Sequence, residues 1–188
     1  MKKNVKKLFG SLLTLALLTG FYSCSNGSSN DLNDIENTQS SVTITYSESL
    51  LSALQTGNDV WGSGTNITGE AAPYTVTSGT GWDPNGMATM PFCTGSLEGF
   101  NYILVEIDTS SFTFRDGDAK YPSFEVKVEF PDGQGDYVII DATKYGKDGL
   151  YTIPLTEVSD TSAIQQFTLN LRGNGKIKLQ DVKKAKDN

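Results

Sequence analysis

From residue 42 to the C-terminus, apolar and polar residues mostly alternate with a period of two. The clearest stretch is SFEVKVEF at 123–130, where apolar and charged residues alternate strictly from Phe124 onward. Successive side chains of a strand point to opposite faces, so we expect one set in a core and the other in solvent. The expected core set is Phe124, Val126, Val128 and Phe130, and the expected solvent set is Glu125, Lys127 and Glu129.

Several further segments show the same alternation and are separated by turn residues. The segment QQFTLNLR predicts Phe167, Leu169 and Leu171 in the core, and GKIKLQDV follows it closely. Gly, Asn and Asp favour turns, so GNGK at 173–176 is interpreted as a hairpin turn between two strands. The other strand segments are VTITYS, YTVTS, YILVEID, DYVIID and LYTIPL.

One segment has the pattern of a short helix rather than a strand. In SESLLSALQTG, Ser47 or Ser49 would cap a helix and Gly57 would end it, with leucines on one side. Many short strands with at most one short helix indicate an all-β fold, and specifically an antiparallel β-sandwich. We expect this single domain to span residues 42–188.

The N-terminal segment has the composition of a secretion signal. Four lysines within residues 2–7 precede an uncharged, mostly apolar run that ends at Ser23 and Cys24. This arrangement resembles a bacterial lipoprotein signal, in which the cysteine is lipidated and becomes the first residue. Phe21 and Tyr22 stand where such signals usually have an aliphatic and a small residue, a looseness similar to that of spirochaete lipoproteins. The alternative is ordinary secretion with cleavage near Ser23, which leaves Cys24 as a free thiol.

The sequence after Cys24 is polar and has no periodicity, which is typical of a flexible tether. We therefore expect a signal peptide at 1–23, a tether at 24–41 and the β-sandwich after it. The resemblance implies a cell-envelope protein that is lipid-anchored to a bacterial membrane, at the cell surface or in the periplasm.

The net negative charge of the chain restricts the kinds of molecule that it can bind. The chain has 15 Lys and Arg against 22 Asp and Glu, and four of the lysines belong to the signal. Without residues 1–23 the net charge is about −11. Such an acidic domain is unsuited to nucleic acid or to anionic lipid head groups. Membrane attachment is therefore expected through the lipid alone.

The absence of histidine argues against common catalytic machinery. The chain contains no histidine and only two cysteines, Cys24 and Cys93. Ser-His-Asp and Cys-His chemistry is thereby excluded, and we expect Cys93 to be a small buried apolar residue. A glycan-active enzyme remains an alternative, because a glycosidase needs only two carboxylates, but no pair stands out. The protein is predicted not to be an enzyme.

Three segments of the second half resemble the galactose-binding-like jelly roll, a fold that houses many carbohydrate-binding modules. They are LEGFNYILVEID, FEVKVEF and IQQFTLNLRGNGKIKLQDVKK. The resemblance implies a jelly-roll β-sandwich. It also implies a structural Ca²⁺, because Asp181 matches an acidic residue of the last strand that helps to hold calcium in several such modules.

Both tryptophans of the chain occur in segments rich in Gly and polar residues, GNDVWGSGT and SGTGWDPNG. Indole rings stack on the C–H faces of sugars, and carboxylates and amides bind hydroxyl groups. The expected carbohydrate-binding residues are Trp61, Trp82, Asp59, Asp83, Asn85 and Tyr74.

Other interpretations of these aromatic residues stay open. Either indole could instead cover the end of the sandwich as part of the core. Tyr121 and Tyr145, which occur in other turns, are weaker candidates for a sugar site. A protein-interaction or adhesin-type lipoprotein is the main alternative function, because exposed aromatic residues also suit a protein partner.

Overall fold

The protein forms ten β-strands within the residues described by the computed structural model, which are 42–94, 97–131 and 137–187. These residues belong to one compact unit, Ser40–Asn188. The predicted signal peptide, the predicted tether and Cys24 lie outside the described residues. Among the described residues, no helix has the length and apolar character needed to cross a membrane. The strands are β1 Ile44–Ser49, β2 Asn66–Thr68, β3 Tyr74–Thr77, β4 Met87–Phe92, β5 Tyr102–Phe114, β6 Phe124–Glu129, β7 Tyr137–Asp141, β8 Gly146–Lys147, β9 Leu150–Pro154 and β10 Gln166–Asp187.

All strand pairings are antiparallel, and they form two sets that share β10. The first set runs in the order β2-β3-β10-β5-β9-β8, and β1 also pairs with β10. The second set runs β4-β10-β6-β7. The architecture confirms the predicted all-β, jelly-roll-type antiparallel sandwich.

Strand β10 passes from one set to the other without a turn, so the predicted hairpin at GNGK is wrong. Its first part, up to Arg172, pairs with β4 and β6, and the part from Gly173 onward pairs with β5. Gly173 and Gly175 adopt positive φ values of 141° and 128°. A Cβ atom on either glycine would overlap a carbonyl oxygen of β5. The glycines therefore allow β5 to approach closely where β10 changes sheets.

The core follows the predicted alternation, with exceptions on β6. Phe124, Val126 and Val128 are buried together with three alternate residues of β10, whereas Phe130 is only half-buried. Glu125 was expected in solvent, but it is only 3% exposed. It lies under a groove that is described below. The three confirmed residues of β10 are Phe167, Leu169 and Leu171.

The predicted helix at 47–57 is also wrong. Ser47 and Ser49 belong to β1, and only Leu51–Ala53 forms a 3-10 turn. The Leu51 amide donates to Ser49 Oγ at 3.3 Å. The segment is fixed at both ends: β1 pairs with the end of β10, and Leu54 forms an isolated bridge to β4. Too few residues remain for a helix.

Cys93 is exposed, which corrects the expectation that it is buried. It comes directly after the last residue of β4, Phe92, whose side chain is fully buried. Because the chain leaves the sheet at this point, the next side chain is no longer held inside.

We predict that Gly173→Ala destabilises the fold through overlap with the Thr113 carbonyl oxygen on β5. Overpacking of this kind typically costs about 1–3 kcal/mol of the free energy of unfolding. Urea denaturation measures the change. Gly57→Ala is the matched control, because Gly57 has a similar φ of 133° but nothing within 4 Å of its added Cβ. Equal losses in the two variants would show that close approach of β5 is unimportant.

Candidate functional site

A groove with a volume of about 390 Å³ lies over the face of the second sheet that points away from the core. Its floor is formed by residues that alternate with the buried ones. Asn170 of β10 pairs across the sheet with Glu125 of β6, and Lys127 of β6 pairs with Ile139 of β7. Arg172 follows at the end of this row. The same alternation that builds the core therefore brings charged and amide side chains to one face.

Three aromatic rings border this floor. Trp82 and Tyr137 expose 48% and 38% of their surface, and Tyr121 is half-buried. The Arg172 guanidinium lies 4.9 Å from the centre of the Tyr121 ring, and Lys127 Nζ lies 4.6 Å from that of Tyr137. These cation–π contacts hold the two tyrosine rings at the margins of the groove.

Asp83, which follows Trp82, connects the tryptophan loop to the groove floor. It is 8% exposed, and its Oδ2 accepts hydrogen bonds from Arg172 Nη1 at 2.8 Å and from the Arg115 guanidinium. Its Oδ1 accepts the Asn85 amide at 3.0 Å. The role of Asp83 as a direct sugar ligand stays a prediction, and its oxygens already accept three hydrogen bonds within the protein. The structure supports a positioning role.

The pKa of Asp83 reflects this environment. Burial alone raises it, but the Asn85 amide and the Arg115 and Arg172 guanidinium groups outweigh burial. The net pKa lies below the ordinary value of 3.8. The carboxylate therefore stays ionised at neutral pH and keeps both arginines in place.

Glu125 is the second buried carboxylate of the groove. Its Oε1 accepts from Asn170 Nδ2 at 3.0 Å, and its Oε2 lies 3.5 Å from Arg172 Nη2. Burial raises the pKa of Glu125, although Asn170, Arg172 and Lys127 partly oppose the rise. Within the described residues, Glu125 Oε2 and Asn170 Oδ1 have no hydrogen-bond partner.

Trp61 is 41% exposed but does not line the groove. Its loop packs against the loop of Trp82 through glycines, since a Cβ on Gly79 or Gly81 would overlap the backbone at 62–64. Asp59 Oδ1 accepts the Gly64 amide at 2.6 Å, so this predicted sugar ligand also has a local structural role. The structure thus brings the two tryptophan loops together but only Trp82 to the groove.

The remaining candidates lie elsewhere. Tyr74 is on β3 of the first set and packs partly against the core, as does Tyr145. The Asn85 side chain is exposed, and the backbone carbonyl oxygen of Asn85 accepts from Asn174 Nδ2 at 2.8 Å. Asp181 Oδ2 forms an ion pair with Lys183 Nζ at 2.7 Å. No cluster of three metal-ligating side chains occurs in the described part of the chain, so the calcium prediction gains no further ligand.

Five polar or aromatic groove residues were missing from the sequence-based set of site residues: Glu125, Lys127, Tyr137, Asn170 and Arg172. Four of them occupy the polar positions of β6 and β10, which the alternation assigned to solvent in general. The sequence pattern therefore identified these residues as the polar face of two strands. It did not show that the two strands are neighbours in the sheet.

No protein-family model matches this chain, and no curated protein matches it. Among solved structures, it is similar to the non-crystalline cellulose specific carbohydrate-binding module CBM28. The two share 10% sequence identity, the match covers 65% of this chain and 79% of that one, and the TM-score is 0.35. A likeness at this level assigns no ligand, so any function has to be argued from the groove itself.

We predict that Asp83→Asn lowers the free energy of unfolding by about 1.5–3 kcal/mol, the usual contribution of hydrogen bonds to charged groups. The pKa of Asp83 is lower in the folded state, so the ionised carboxylate stabilises the fold above pH 3.8 and loses this effect as the pH falls through its folded pKa. The difference between the variant and the parent should therefore shrink in acid. Urea denaturation at pH 7 and pH 3 measures this difference in the free energy of unfolding.

The control is Asp116→Asn, which removes an exposed carboxylate next to Arg115. If Asp83→Asn lowers the free energy of unfolding equally at both pH values, the ionised Asp83 carboxylate does not hold the arginines as described.

Proposed function

We propose that the domain binds a carbohydrate chain, without catalysis, in the groove of the second sheet. The carrying observation is the combination of Trp82, Tyr121 and Tyr137 around a floor of carboxylate, amide and guanidinium groups. Sugar rings have apolar C–H faces that stack on aromatic rings and hydroxyl groups that bond to such a floor.

The expected affinity is modest. A stacked ring contributes about 0.5–1.5 kcal/mol beyond its buried area, and each hydrogen bond adds a similar net amount. These gains first have to offset the entropy lost when a flexible chain is fixed. A dissociation constant between roughly millimolar and tens of micromolar follows.

We further propose that this domain is held at a bacterial membrane through lipid on Cys24. The support is the basic, then apolar segment that ends at Ser23 and Cys24 and the polar stretch after it. A tether of about 18 residues places a glycan-binding domain within reach of polysaccharides of the cell envelope or of the surroundings.

We predict that Trp82→Ala weakens glycan binding at least about tenfold, because it removes the most exposed stacking ring of the groove. A glycan array identifies the ligand, and titration calorimetry measures the loss. The melting temperature should stay nearly unchanged, since the indole is 48% exposed.

Trp61→Ala is the matched control for this prediction, because Trp61 is similarly exposed on the neighbouring loop but outside the groove lining. It should bind almost as the parent does. A larger loss from Trp61→Ala than from Trp82→Ala would place the site on the other loop. A parent protein that binds no glycan of a broad array would favour the protein-interaction alternative.

The lipid anchor predicts that Cys24→Ala releases the protein from membranes into the soluble fraction, because residue 24 then has no thiol to carry the lipid. Fractionation of the expressing bacteria measures this. Cys93→Ala is the control and should remain in the membrane fraction. Mass spectrometry that finds an unmodified Cys24 in the mature protein would contradict the anchor.

A further inference from the structure

We infer that the groove selects an uncharged glycan over an acidic one, and that Glu125 and Asn170 select for its hydroxyl groups. This inference rests on the proposed function, since it names the class of carbohydrate that the same groove accepts. It is carried by the balance of hydrogen-bond donors, acceptors and charges among the groove residues.

The centre of the floor offers acceptors that need a donor. Glu125 and Asn170 are 3% and 4% exposed. Asn170 Oδ1 has no hydrogen-bond partner in the described residues, and Glu125 Oε2 has only the 3.5 Å ion pair with Arg172 Nη2. A buried polar atom without a hydrogen bond destabilises the free protein, so a ligand that donates a hydrogen bond here is bound more tightly. A sugar hydroxyl can donate. A carboxylate or sulfate group of an acidic glycan only accepts at neutral pH.

The cations around the groove already have carboxylate partners. Lys127 Nζ lies 2.5 Å from Glu129 Oε1, and Arg172 pairs with both Asp83 and Glu125. Arg115 also pairs with Asp83. Three cations thus face three carboxylates. Arg115 Nε and Arg172 Nε are buried and have no hydrogen-bond partner in the described residues, and a sugar hydroxyl oxygen can accept from them. An acidic group that approached these nitrogens would also meet the carboxylates that are already paired with the two guanidinium groups.

An acidic chain would also meet unfavourable charge. The carboxylate of Glu125 lies in the floor itself, and an acidic group placed beside it would be repelled, because poorly solvated like charges destabilise a complex. The side-chain charge after the signal is about −11, so the long-range field repels anions as well. A neutral chain meets neither penalty and keeps the stacking on Trp82 and Tyr121.

Matched pairs of polysaccharides test this selectivity, because the members of a pair differ mainly in charge. Suitable pairs are hydroxyethyl cellulose with carboxymethyl cellulose, fully methyl-esterified polygalacturonate with polygalacturonate, and the propylene glycol ester of alginate with alginate. Affinity electrophoresis in native gels measures their dissociation constants at an ionic strength of about 0.15 M, where the Debye length of about 8 Å removes most long-range repulsion. In any pair that binds, we expect the acidic member to bind at least about tenfold more weakly.

The outcomes separate the inference from the function on which it rests. Equal or tighter binding of the acidic member overturns the selectivity while the proposed carbohydrate binding stands. No binding to any of the six polymers contradicts the proposed function itself. Discrimination that disappears at high salt would show that the overall charge, rather than the groove floor, causes it, and would also overturn the inference.

The Glu125→Gln variant tests the named acceptor. An amide replaces one acceptor oxygen by a donor, so binding of the neutral polymer should fall about tenfold and the ratio between neutral and acidic members should narrow. Glu70→Gln, an exposed glutamate away from the groove, is the matched control. Asn170→Ala provides a second reading if Glu125→Gln unfolds. An unchanged ratio in both folded variants would exclude the two residues as determinants.

Discussion

The arrangement of this domain depends on the continuity of β10, which runs unbroken from Gln166 to Asp187. Its first part pairs with β4 and β6, and its second part pairs with β1, β3 and β5. One strand therefore contributes apolar side chains to the core from both sets and polar ones to the groove. Because alternate residues point to opposite faces, the register that buries Leu169 and Leu171 also presents Asn170 and Arg172 to the groove.

The sequence was sufficient for the fold class, but not for the course of this strand. Alternation identified the core of β6 and β10, whereas Gly and Asn at 173–176 were interpreted as a turn. The inward positions in fact continue through Gly173 and Gly175 to Ile177 and Leu179 without a change of phase. A hairpin has no reason to preserve that phase. Glycine is needed at these two positions because a Cβ atom would overlap β5. Turn propensity alone does not distinguish a glycine that allows close packing of strands from a glycine in a hairpin turn.

The site was predictable only in part, for a similar reason. Trp82 could be found because an indole among glycines and polar residues is conspicuous. Glu125 could not, since an acid on the polar side of an alternating strand normally faces water. The side chains that contact it come from far away in sequence, namely Asn170 and Arg172 on β10. For Asp83, the position beside Trp82 was enough to identify it as a site residue. Its structural role could not be predicted, because its two arginine partners are 32 and 89 residues away.

The tryptophan loops explain how an exposed ring is kept in a defined place. Trp61 and Asp59 both have a φ of 53°, a conformation that costs non-glycine residues about 1–3 kcal/mol and that persists only where the surroundings fix it. Here the Gly64 amide bonds to Asp59, and the backbone at 62–64 lies against Gly79 and Gly81. The loop of Trp82 is thus supported on one side by this neighbour and on the other by the Asp83 ion pairs. A ring supported in this way loses little further freedom when a ligand stacks on it, so more of the stacking energy remains available for binding.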